Sequence, residues 1–69
     1  MHVTYDAQAD AAYVCLVPRT EPGESSEQEL VEERDIVLDF DRDGRLLGVE
    51  VLHASRVLRP ETLEDAQRL

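Results

Sequence analysis

Apolar residues in this chain recur mostly at a spacing of two, the period of a strand whose side chains alternate between two faces. Val3 and Tyr5 share one face of a short first strand. After a polar interruption at 6–10, residues 11–17 read as a strand that is apolar on both faces, although the alanines at 7–12 also allow a helical turn before it. Ile36, Leu38 and Phe40 lie on one face of a strand over 36–41, with Val37, Asp39 and Asp41 on the other, and Leu47, Val49 and Val51 repeat the pattern over 46–52. Residues 29–32 fit a strand or a helical turn, and 33–35 read as a bend. The stretch 18–27, with two prolines, a Pro-Gly pair and two serines, has loop composition, and high mobility is expected there. It is read as a connector, with a binding segment that orders on contact as the alternative. Near the end, Pro60 suits the first turn of a helix, and Glu61, Glu64 and Asp65 precede Arg68 in the order that complements a helix dipole. The predicted architecture is mainly β (α+β): an antiparallel sheet of four or five strands over a single domain at 1–58, followed by a helical tail at 59–69.

Between the two clearest strands, residues 39–50 (DFDRDGRLLGVE) match the calcium-loop pattern D-x-[DN]-x-[DN]-G-x5-E. In that reading Asp39, Asp41, Asp43 and Glu50 would converge on an ion and Gly44 would make the sharp turn. An EF-hand loop is held between helices, whereas the flanks here alternate at period two, so a β-hairpin is the expected structure. A four-residue loop over 41–44, with Gly44 left-handed, pairs Phe40 with Arg45, Leu38 with Leu47 and Ile36 with Val49. A three-residue loop pairing Asp41 with Arg45 would set Ile36 opposite Glu50 on the buried side, so the four-residue loop is predicted.

Charge narrows the function. Sixteen Asp and Glu stand against seven Arg and no Lys, for a net charge of −9, which disfavours direct binding to a phosphate backbone. It points to a small basic protein as partner, the plainer alternative being solubility alone. At 69 residues the core is small, so a homodimer is expected. A lone Cys15 makes no internal disulfide, and no apolar run is long enough for a membrane span or a signal-peptide core, so the expected compartment is the cytoplasm, with no membrane contact.

Val3-Thr4-Tyr5-Asp6, then Ala9-Asp10-Ala11-Ala12-Tyr13-Val14, the whole of 36–52, and Ala54-Ser55 together resemble a family of small prokaryotic proteins catalogued as domain of unknown function 2283. The resemblance covers most of residues 1–58 and implies a compact, mainly antiparallel β domain. It brings no activity and no catalytic residues. Some relatives resemble the antitoxin halves of toxin–antitoxin pairs. This chain departs from the family's pattern at His53, where Asp is more usual, in its acidic 18–28 loop and in its tail.

No catalytic constellation emerges. His2, His53 and Cys15 form no close metal-ligand pair, and Cys15 reads as a small buried hydrophobe. His53 ends a strand, where a solvated position is the plain reading and a pH-sensitive contact the sharper one. Asp6 with Asp10, or Asp39 with Glu50, lack an apolar pocket that would tune them for acid–base work. The functional expectation is therefore an acidic protein-interaction module, antitoxin-like, that neutralises a basic protein through Glu21, Glu24, Glu27, Glu29, Glu32 and Glu33, without a cofactor or metal. The alternatives are a calcium-binding module through Asp39, Asp41, Asp43 and Glu50, and a small enzyme. Ala12, Val14 and Leu16, with Val37, Leu46 and Leu52, are the expected apolar residues on the sheet face left bare by the helix.

Overall fold

The computed structural model describes residues 1–18 and 21–69. Arg19 and Thr20, within the predicted loop, lie outside them. The strands are β1 (His2–Asp6), β2 (Ala11–Cys15), β3 (Glu27–Val31), β4 (Ile36–Phe40), β5 (Leu46–Leu52) and β6 (Gln67–Arg68). A 3-10 turn, Glu32–Arg34, joins β3 to β4, and two short helices, α1 (Ala54–Val57) and α2 (Pro60–Asp65), follow β5. Among the described residues the six strands form one sheet in the order β3-β4-β5-β2-β1-β6. All pairings are antiparallel except β1 with β6.

The fold is mainly β, as the period-two pattern requires, and α2 begins at the expected proline. The sheet is larger than predicted because Gln67 and Arg68 leave the helix and run parallel to β1 opposite Thr4 and Tyr5. The Leu69 N–H donates to the Tyr5 carbonyl at 3.0 Å, and the Arg68 guanidinium stands 4.9 Å from the centre of the Tyr5 ring. The charge order of the tail pointed to helix throughout; a strand of two residues is too short to show a period.

The core lies between the sheet and the helices. Tyr5, Ala12, Val51, Ala54 and Ala66 form it, with Val3, Val49, Leu58 and Leu63 packed against them. Two small residues set the closeness of this packing: Ala54 is 0 % exposed and Ala12 is 2 % exposed. Ala12 therefore sits in the core rather than on the bare face predicted for it. The physical reason is register: Ala12 stands opposite both Tyr5 and Val51, so it shares their face, and Val14, opposite Val3 and Val49, follows. The other side of β2 carries Ala11, Tyr13 and Cys15. Leu16 and Leu46 are exposed, as expected, whereas Val37 and Leu52 are half-buried.

The β4–β5 hairpin forms with a register that differs from the predicted one. Asp41 N–H donates to the Arg45 carbonyl at 2.9 Å and Gly44 N–H to the Asp41 carbonyl at 3.0 Å, which leaves a three-residue loop. Gly44, with φ of 81°, takes the left-handed position that closes this turn type. Phe40 then pairs with Leu46, but a bulge next to it shifts the ladder, so Asp39 faces Gly48, Leu38 faces Val49 and Ile36 faces Val51. The extra residue restores the parity that the three-residue loop would have broken. Glu50 stands opposite Val37, away from the core.

Candidate functional site

The six predicted glutamates lie on β3 and in the segments just before and after it. Glu27 and Glu29 lie on β3, the terminal strand, and are exposed; Glu32 and Glu33 follow in the exposed 3-10 turn. Glu21 and Glu24 belong to a tight turn in which Glu24 N–H donates to the Glu21 carbonyl at 3.1 Å and Glu21 N–H to Glu24 Oε1 at 2.8 Å. That turn faces the tip of the β4–β5 hairpin across an open cleft of about 350 Å³ lined by Glu21, Pro22, Gly23, Glu24, Asp41, Arg42 and Asp43. Because Glu27 pairs with Phe40, one residue before Asp41, the cleft lies at the Glu27 end of β3. Glu27 and Glu29 thus lie on the edge strand, Glu32 and Glu33 follow it together with Arg34, and Glu21 and Glu24 precede it beside Arg42.

The four residues of the calcium pattern do not converge. Strands, not helices, flank the loop. Asp41 Oδ1 accepts the N–H groups of Asp43 and Arg45, each at 2.9 Å, and so holds the turn itself. Asp39 is buried on the sheet face opposite the helices, where Oδ2 accepts the Tyr13 hydroxyl at 3.0 Å and Oδ1 the Ser25 hydroxyl. Among the described residues no group of three His, Cys, Asp or Glu side chains is placed to hold a metal ion.

Asp39 instead fastens the segment before β3 to the sheet. Gly48 makes this possible: a Cβ there would lie 2.5 Å from Tyr13 Cζ and 2.7 Å from the Val14 carbonyl oxygen. The Tyr13 ring crosses the glycine to reach the carboxylate. Burial, then the hydrogen bond to Asp39, pushes the Tyr13 hydroxyl up to about 12. Cys15 is buried nearby in sequence, and its thiol donates to the Val17 carbonyl at 3.2 Å.

A second polar cluster, which sequence reasoning did not assemble, closes the opposite end of the sheet. Asp10 accepts the Ser55 N–H at 2.9 Å, the Ser55 hydroxyl at 2.7 Å and the Tyr5 hydroxyl at 2.8 Å, while its carbonyl accepts the Ala54 N–H at 2.9 Å. The Ser55 hydroxyl bond, followed by the Tyr5 bond and the Ser55 N–H bond, holds the Asp10 carboxyl below its ordinary value, and the same Tyr5–Asp10 bond raises the Tyr5 hydroxyl. Beside it, Asp35 Oδ2 stands 2.9 Å from Arg56 Nη2 and 3.4 Å from His53 Nδ1. Asp10, Asp35 and His53 all have positive φ, between 52° and 57°. Asp and His are among the side chains that tolerate this conformation best. Facing Asp35, a histidine at 53 also avoids the carboxylate repulsion that an aspartate would bring. The legible signal was that Asp10 and Ala54-Ser55 carried the family resemblance; that they touch was not legible, since 45 positions separate them.

The fold and the six glutamates describe a small β module whose carboxylates line an open sheet edge and whose other polar groups brace its turns. Residues 2–55 match the model of the family described as "Protein of unknown function (DUF2283)", and the chain belongs to that family. No curated protein and no solved structure matches it. Among the described residues no helix is long and apolar enough to cross a membrane.

Proposed function

We propose that this protein is an acidic interaction module that binds and neutralises a small basic protein, in the manner of an antitoxin. The observation that supports this reading is the run of carboxylates on and around the edge strand: Glu27 and Glu29 on β3, Glu32 and Glu33 in the turn after it, and Glu21 and Glu24 in the turn before it, facing Asp41 and Asp43 across the cleft. Such a surface speeds the approach of a cationic partner and repels nucleic acid. Catalysis is not part of the proposal. Asp10 and Asp39 accept hydroxyls of Ser and Tyr that tie segments together. The proposed setting is the cytoplasm.

The free form is proposed to be a homodimer. Val31, Ile36 and Leu38 share the helix-bearing face but lie beyond the core cluster, half-buried, and a second copy would bury them further. Light scattering at micromolar concentration checks this; a monomer there overturns it.

Capture from native cell lysate at low and high salt tests the main function, with the retained proteins identified by mass spectrometry. The expected result is a small basic protein held at low salt, reduced at high salt, and lost when the six glutamates are changed to arginine. Retention that ignores both salt and charge reversal overturns the electrostatic mechanism.

A further inference from the structure

We propose that the outer edge of β3 takes up a basic, extended segment of the partner as a seventh strand, a geometry that rests on the acidic-interaction reading above. What carries it is the backbone. β3 ends the sheet, and among the described strands it pairs only with β4. Alternate residues of such a strand turn their N–H and C=O groups outward, ready to template another chain. The strand at the opposite end, β6, has two residues, too few for that task, whereas β3 has five.

Most devices that blunt an exposed edge are missing here. β3 contains no proline and no lysine, and its pairing with β4 runs without a register shift from Glu27 to Val31. Its protection is negative charge, which works against some partners and favours others. A second copy paired antiparallel about Glu29 would set that glutamate against its own counterpart, and centring on Gln28 would set Glu27 against Glu29; both place like charges together. These two registers disfavour a second copy, whereas a cationic strand would meet opposite charge at the same positions.

The side chains specify the segment further. Glu27 and Glu29 project on one face of β3, while Leu30, 53 % exposed, projects on the other beside Gln28. A strand with Arg or Lys at alternate positions and aliphatic residues between them would meet the glutamates on one face and cover Leu30 on the other.

The probe is a synthetic peptide of about eight residues alternating Arg and Val, matched to the length of β3 with an overhang at each end. Its control has the same sequence with the amides of one edge N-methylated, which keeps the charge and removes the ladder donors. The expected result is peptide binding at low salt with new hydrogen-exchange protection confined to β3, loss of that binding on N-methylation, and weakening by about tenfold in the double variant Glu27→Lys, Glu29→Lys, which reverses two cross-strand charge pairs. Equal binding of the methylated peptide, or protection located elsewhere, overturns strand addition and leaves the acidic surface standing. Failure of the unmethylated peptide to bind also overturns strand addition, while the lysate capture decides the broader reading independently.

Discussion

Tyr13, Asp39 and Gly48 work as one unit. The carboxylate is buried and carries two hydroxyl donors, one of which reaches it only because residue 48 lacks a side chain. Gly48→Ala forces the ring or the Val14 backbone to move, and unfolding in denaturant should show a loss of about 1–3 kcal/mol, the usual cost of overpacking. The Tyr13 hydroxyl adds an alkaline signature. Its folded value of about 12 lies above the ordinary 10.0, so the neutral form is favoured in the native state. That contribution is whole below pH 10 and is lost as pH rises from 10.0 towards about 12. Ultraviolet titration of tyrosinate should therefore show a late transition that disappears in Tyr13→Phe. A tyrosine titration complete near 10.0 would show that the ring is not held as described.

The β4–β5 hairpin shows how an element reconciles two demands. Its sequence satisfies a three-residue turn, through Asp41 and the left-handed Gly44, and it also requires Ile36 and Leu38 to share a face with Val49 and Val51. A straight ladder meets only one of these conditions, and the bulge allows both. Because Asp41 Oδ1 accepts two backbone N–H groups of the turn, Asp41→Ala should lower stability by about 1–2 kcal/mol, equally with and without calcium. Calorimetric calcium binding that this substitution abolishes, with a stability loss seen only when calcium is present, would instead favour the metal reading. The match to a calcium-loop pattern was legible residue by residue; its failure to converge follows from the flanking strands, which the pattern does not contain.

Across the whole molecule, stability and surface charge are assigned to different places. The core and the two polar clusters hold the sheet, the turns and the helices together, while the acidic border on β3 and the 3-10 turn is exposed. Charge reversal at Glu27 and Glu29 should therefore leave the unfolding free energy within about 0.5 kcal/mol of the parent, as surface substitutions generally do, while weakening association with a cationic partner. A large loss of stability in this variant would mean that the border also supports the fold. The net charge of −9 was legible at once, and so were the individual glutamates. Their placement depended on the sheet order, which puts β3 at an end, and on the tertiary contact that brings the 21–24 turn to the hairpin tip.

By itself the sequence determined the clearest elements and the family: period-two alternation marks β1, β2, β4 and β5, Gly44 marks a turn, Pro60 starts a helix, and the residues from 2 to 55 carry the family's pattern. It did not fix α1, nor β3, which reads partly as loop and partly as strand or helical turn. Only the tertiary structure decided which face of β2 forms the core, where a bulge corrects the hairpin, and that Asp10 meets Ser55 across 45 positions. It also decided that the last residues return to pair with β1. The division has a physical cause. Alternation and turn chemistry act between residues close along the chain, whereas register, burial and cross-chain hydrogen bonds come into being only when distant segments compete for the same face of one sheet.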